Sequence, residues 1–148
     1  MTRPSDEEMA RLLYDKECIR ELKHRYWRLN DLKLMDAIGD CFTEDAVADY
    51  APDVKLEGRQ AIVDFLRRTI GREELFSVHQ GFNPEIEITG ENRARGLWRF
   101  YNYLHFASSG TTMRIWGIYE DLYAKVDGAW RIKSTAVTYL RTETTSVS

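Results

Sequence analysis

Between residues 76 and 139 the chain alternates apolar and polar side chains with a period of two, interrupted only by short clusters of turn residues. Candidate strands cover 76–80, 85–89, 93–106, 111–126 and 130–139, with turns at Asn83-Pro84, Gly90-Glu91-Asn92, Ser108-Ser109-Gly110 and Asp127-Gly128. Strands joined so tightly run antiparallel, because a parallel neighbour needs a crossover of a dozen or more residues. Three of them exceed the usual length of about 5–6 residues, and a long strand persists only by twisting and coiling. A strongly curved sheet is therefore expected, with Gly96 and Gly117 as candidate bend points.

The first half reads differently. Ser5 and Glu8 have the spacing of a capping box, and Met9, Leu12, Leu13, Ile19, Leu22, Tyr26 and Leu29 recur at helical intervals. This predicts one long helix, or two in line, that the curved sheet can wrap. Asn30-Asp31 interrupts the pattern and Leu34, Ile38 and Phe42 resume it, so Asp31 lies at a bend, where capping a second helix is its simplest local role. A short alternating segment at 46–50 ends at Pro52-Asp53, and Gly58 precedes a third helix marked by Ile62, Phe65, Leu66 and Ile70. The order is three helices, with one strand between the second and third, followed by a meander. With no linker, repeat or compositional break in 148 residues, the expectation is a single α+β domain over 1–148.

Composition removes several function classes. Twenty-one Lys and Arg against 24 Asp and Glu give a net charge of −3, which disfavours nucleic acid as a partner. No apolar run reaches the roughly 18 residues a membrane span needs. Cys18 and Cys41 lack C-x-x-C spacing and no secretory leader is evident, so they are expected as reduced thiols in a cytoplasmic protein. Three scattered histidines form no i, i+4 pair and no H-x-H, and neither phosphate-cradling glycine motif occurs, so neither a metal nor a nucleotide cofactor is expected. Arg67, Arg68 and Arg72 read as a solvated face at a helix C-terminus.

Several stretches together resemble the SnoaL-like branch of the NTF2-like superfamily: residues 19–31 (IRELKHRYWRLND), 42–46 (FTEDA), Gly58 ahead of a helix, 79–86 (HQGFNPEI), 117–121 (GIYED) and 127–132 (DGAWRI). The resemblance implies a cone-shaped, strongly curved antiparallel sheet closed by N-terminal helices around one deep pocket, an NTF2-like α+β barrel. Within that branch the chain is most similar to the lyases that remove water or halide from small rings, such as scytalone dehydratase, hexachlorocyclohexane dehydrochlorinase and the bile-acid 7α-dehydratases. The same fold also hosts isomerases, polyketide cyclases, oxygenase small subunits and plain binding modules.

By that resemblance Tyr26, Asp31, Tyr50 and His79 face the pocket, Asn102 stands where the bile-acid enzymes carry an aspartate, and Arg141 falls where they carry an arginine. An amide hydrogen-bonds but does not exchange a proton near neutral pH, so chemistry that needs a second carboxylate does not carry over. The roles implied are a catalytic set of His79, Asp31 and Tyr26. A histidine tied by one nitrogen to a carboxylate can move a proton between carbon and a leaving hydroxyl, and a phenol can steady the growing negative charge on oxygen. From local sequence alone Tyr26 fits core packing as well as catalysis. Tyr50, Asn102, Arg141, Trp98, Phe100 and Trp116 form the expected substrate-binding set, with Trp27, Phe65, Leu66, Leu104 and Trp130 as further apolar lining. His24 sits beside Lys23 and Arg25 and reads as surface, as does His105, which shares a strand face with Tyr101 and Tyr103. So aromatic an outward face suggests a homo-oligomer, a trimer or dimer. The resulting expectation is a cofactor-independent lyase, most simply a dehydratase of a small hydrophobic alicyclic or steroid-like ring. An isomerase or cyclase with the same dyad, or a non-catalytic module, are the alternatives.

Overall fold

A computed structural model describes residues 2–147. Helix α1 is one continuous element, Asp6–Asp31, whose first turn is capped by Ser5 Oγ accepting from the Glu8 backbone N–H at 3.2 Å. Asp6, Glu7 and Glu8 lie at its positive end and Arg28 at its negative end, as the peptide dipoles favour. The second helix expected after Asp31 is reduced to the single turn α2, Met35–Ile38, and a 3-10 turn at Gly39–Cys41. Lys33 takes a positive φ of 60° and breaks the helix, and Phe42 opens a strand. Apolar spacing of four is met equally by a turn running into a strand. Ile38 and Phe42 are fully buried in it.

Strand β1, Phe42–Tyr50, forms a hairpin with β2, Val54–Glu57, a strand hidden in the sequence by the neighbouring Pro52-Asp53. Helix α3, Arg59–Thr69, starts from Gly58 at φ +91°, a conformation open to glycine at little cost. Then come four long strands, β3 (Leu75–Gly90), β4 (Arg93–Phe106), β5 (Thr111–Val126) and β6 (Ala129–Ser146).

The sheet order is β2-β1-β6-β5-β4-β3. The four long strands form the expected antiparallel meander, but β1 and β6 pair in parallel, with Asp49 opposite Ala136. The sheet is thus mixed, and β2 and β3 remain open edges, so the curved surface does not close into a barrel. A parallel neighbour is permitted because α3 and four strands supply the crossover between β1 and β6. Asn83-Pro84 is likewise a bulge inside β3 rather than a turn. Asn83 adopts φ 52°, tolerable for asparagine, and the pairing with β4 shifts register between Phe82 and Glu85.

Two glycines let the layers approach. A Cβ on Gly81 would penetrate the six-membered ring of Trp27, so α1 packs flush on β3 only because that position is bare. Gly117 abuts the Phe100 ring and the Thr138 carbonyl, and the β5–β6 register shifts there, as expected of a bend. Beneath lies the core, in which Trp98 meets Trp27 edge to face and Phe100 meets Tyr119 with ring centroids 4.8 Å apart.

Lys23, next to His24 on α1, is buried. Its side chain and that of Asp121 are both fully buried and pair at 2.8 Å. The ammonium also sits 4.0 Å from the centre of the Tyr119 ring. Asp121 is held further by Tyr123 Oη at 2.7 Å and Thr135 Oγ1 at 2.6 Å. A lysine can occupy the core here because β5 presents a carboxylate inward and aromatic faces surround the charge. Its neighbour His24 is exposed, as expected, and so is Arg25. Both cysteines are free thiols, Cys41 buried and Cys18 half-buried. Among the described residues no helix is long and apolar enough to cross a membrane, and no cluster of His, Cys, Asp and Glu could hold a metal ion.

Candidate active site

Asp31 closes helix α1, and its carboxylate reaches across to β3. Oδ1 lies 2.6 Å from His79 Nδ1 and 3.1 Å from Ser77 Oγ, while Oδ2 accepts the His79 backbone N–H at 2.9 Å. The carboxylate therefore serves the strand and does not cap a following helix. A carboxylate has only acceptors to offer, so Nδ1 carries the hydrogen, and in the neutral ring Nε2 is the atom with the lone pair. The His79 side chain is 8% exposed and that of Asp31 22%, which leaves the dyad mostly shielded from water.

His79 forms part of the wall of a cavity of about 170 Å³ bordered by α1, α3 and the inner face of the sheet. Tyr26, Tyr50 and Asn102 share that wall. Helix and sheet geometry explain the convergence. His79 is the register partner of Asn102, so both project from the same face of the sheet. Tyr26 and Asn30 are four apart on α1 and share its inward stripe. The two phenols meet, with Tyr26 Oη 3.0 Å from Tyr50 Oη, and Tyr50 stacks on Phe65 at 5.7 Å. Burial pushes both phenols well above the ordinary tyrosine range, so they act as neutral hydrogen-bond donors rather than bases.

Other residues expected at the site are distributed around it. Phe65, Leu66 and Leu104 line the cavity as expected. Trp98 and Phe100 are buried but belong to the core behind the wall, where Trp98 Nε1 donates to Tyr123 Oη at 3.0 Å. Trp27 and Trp130 are also core residues; Trp130 Nε1 donates to Asp15 at 2.8 Å. Trp116 and Arg141 are register partners on the outer face, which corrects their expected placement in the pocket. Trp116 packs on Tyr101 at 5.2 Å, and Arg141 is 70% exposed and paired with Glu143. The reason is parity. Ile115, Gly117 and Tyr119 point inward, so Trp116 points out, and the residue opposite follows it.

Asn30 and Tyr119 also line the cavity and were not singled out from the sequence. Helical spacing from Tyr26 and strand alternation from Gly117 both carried the signal. A larger depression of about 700 Å³ around Glu85, Arg95 and Glu120 contains neither the dyad nor the phenols. Asp31 and His79 also border an open depression of about 620 Å³ beside His24 and Arg28, whereas the smaller cavity is where His79 meets the two phenols.

The family model described as a SnoaL-like domain matches residues 11–136. Among solved structures the chain is similar to a protein of Novosphingobium aromaticivorans provisionally named a scytalone dehydratase. The two are 24% identical, with 88% of this chain and 87% of that one covered and a TM-score of 0.83. It is also similar to the hexachlorocyclohexane dehydrochlorinase LinA-type3 of Novosphingobium barchaimii, at 15% identity over 92% of each chain, with a TM-score of 0.80. At these identities the likeness speaks for the fold, a curved sheet packed on N-terminal helices.

Proposed function

The chain belongs to the SnoaL-like domain family of the NTF2-like superfamily, and from that premise we propose that it is a cofactor-independent lyase, a dehydratase acting on a small alicyclic ring. The observation that carries the reading is the 2.6 Å contact of Asp31 with His79, the member of the pair that lines a cavity also holding Tyr26 and Tyr50. The names of the similar structures, a dehydratase and a dehydrochlorinase, support an elimination.

In the proposed step, His79 Nε2 takes a proton from a carbon next to a ring carbonyl. The C–H electron pair becomes a carbon–carbon double bond, and the bond to the leaving hydroxyl breaks. The departing oxygen takes the proton back from the imidazolium and leaves as water. Asp31 steadies the imidazolium while it exists, and a phenol donates to the carbonyl oxygen as negative charge develops there. One imidazole suffices for both transfers, which suits a wall where Asn102 stands in place of an acid.

The same economy supports a second reading, isomerisation by returning the proton to another carbon. Loss of 18 mass units from the product, the mass of one water, separates the two. A screen of hydroxylated cyclic ketones against the wild type and His79→Ala tests the proposal. Water loss by the wild type that collapses in a folded His79→Ala protein is expected. Full turnover by that variant, or tight binding without any turnover, refutes it and leaves a binding module. We also propose that the outer aromatic face, where Tyr101 meets Trp116 and Phe76 meets Tyr103, joins copies of the chain into a trimer or dimer.

A further inference from the structure

Among the described residues three hydrogen bonds hold the Asp31 carboxylate. Two of them come from His79 itself, through Nδ1 at 2.6 Å and the backbone N–H at 2.9 Å. Ser77 is the one donor that does not belong to the histidine, and its Oγ donates to the same Oδ1 at 3.1 Å. A carboxylate offers acceptors alone, so the direction of this bond is fixed. Strand alternation puts the hydroxyl in place: Ser77 and His79 are two apart on β3, and their register partners, Leu104 and Asn102, both line the cavity.

The two ends of this bond differ in their access to water. Ser77 is 4% exposed, whereas the Asp31 side chain is 22% exposed and borders the open depression beside His24 and Arg28. A carboxylate at such a rim can exchange a protein donor for water, and its terminal torsion is soft enough to let it turn. A buried hydroxyl has no such exchange, because losing its acceptor leaves it unpaired. The serine therefore holds Oδ1 toward the strand whatever the imidazole does.

We infer that Ser77 is a positioning residue of the dyad: its hydroxyl fixes Oδ1 of Asp31 against Nδ1 of His79 and keeps water from the depression out of that contact. Ser77 itself touches no reacting atom. The inference deepens the lyase reading and rests on it only for the effect on turnover.

The hydrogen on Nδ1 reports the contact directly, because a short bond to a carboxylate moves its proton resonance downfield and slows its exchange with water. The wild-type protein is expected to show such a resonance, assigned by its loss in His79→Gln. In Ser77→Ala the proton should exchange at least about tenfold faster, and in Ser77→Thr, which keeps the hydroxyl, within about threefold of the wild-type rate. Ser77→Cys keeps the volume with only a weak donor and should match Ser77→Ala, so the answer does not hang on one variant folding. A wild type without the resonance overturns the inference. So does wild-type exchange in a folded Ser77→Ala or Ser77→Cys protein, even one with a lower Tm, or a Ser77→Thr protein that exchanges as fast as Ser77→Ala. On the substrate found by screening, kcat for water loss should fall about tenfold in Ser77→Ala, with KM within about twofold. Failure of the lyase reading removes that turnover and leaves the exchange rates as stated.

Discussion

Oδ1 of Asp31 lies 2.6 Å from Nδ1 of His79, although 48 positions separate the two residues in the chain. The helix end supplies the carboxylate and the first long strand supplies the imidazole. Asp31→Asn keeps the shape but offers Nδ1 an amide, so the preferred tautomer and the imidazolium are both less well supported. Water loss is expected to fall by about 10²–10⁴-fold in this variant, and to a similar level in His79→Gln. The double variant should be little worse than either single one, because the pair acts as a unit. Steady-state kinetics on the substrate found by screening check this, and additive losses would contradict it.

The phenols make a separate prediction. Tyr26→Phe removes a hydroxyl without emptying its space, so the fold should persist while kcat falls about 10²–10³-fold, as for loss of an oxyanion donor. Tyr50→Phe should have an effect of the same kind. A change confined to KM would assign these hydroxyls to ground-state binding.

Lys23 and Asp121 concern stability. Replacing Lys23 with Met strands a carboxylate in the core and is expected to cost about 3–5 kcal/mol in urea unfolding. Lys23→Met combined with Asp121→Asn should recover part of that loss, because no bare charge remains. A double variant as unstable as the sum of the two singles would show that the charges are not coupled.

Acid sensitivity should trace in part to Asp15. Burial alone would raise its carboxyl, but hydrogen bonds from Lys125 and Trp130 outweigh it and hold the group below its ordinary value near 3.8. The folded state therefore binds this proton less readily than the unfolded chain. The stability it contributes is complete above the unfolded value and disappears as pH falls below about 4. Asp15→Asn should lower stability at pH 7 and flatten its decline between about pH 4 and pH 2, as followed by urea titration at several pH values.

Gly81 tests the packing of the site. Gly81→Ala forces the Trp27 ring off the sheet, at an expected cost of about 1–3 kcal/mol, read as a lower Tm. Because Gly81 lies two residues after His79 on β3, catalysis should decline with stability. An unchanged Tm would mean that α1 can move away freely.

Much of this architecture was legible because it follows from local periodicity. The change from a helical period to a period of two after residue 75 announced the meander, and the tight turns between strands dictated antiparallel pairing of β3 to β6. Alternation also forecast the outward position of His105, which bonds Thr112 Oγ1 at 2.9 Å on the outer face. Pro52-Asp53 hid β2, and a bulge at Asn83 looked like a turn, because the same residues serve both purposes.

The sequence by itself determined which residues share a face along each strand and helix, since that follows from backbone geometry within one element, but not that Trp116 and Arg141 point outward or that Lys23 points inward. Only the tertiary structure decided which inward faces meet. The parallel pairing of β1 with β6, the burial of Lys23 against Asp121 and the closure of Asp31 on His79 all join residues far apart in the chain. Such contacts depend on how the sheet curves over α1, and no local pattern encodes that curvature in full.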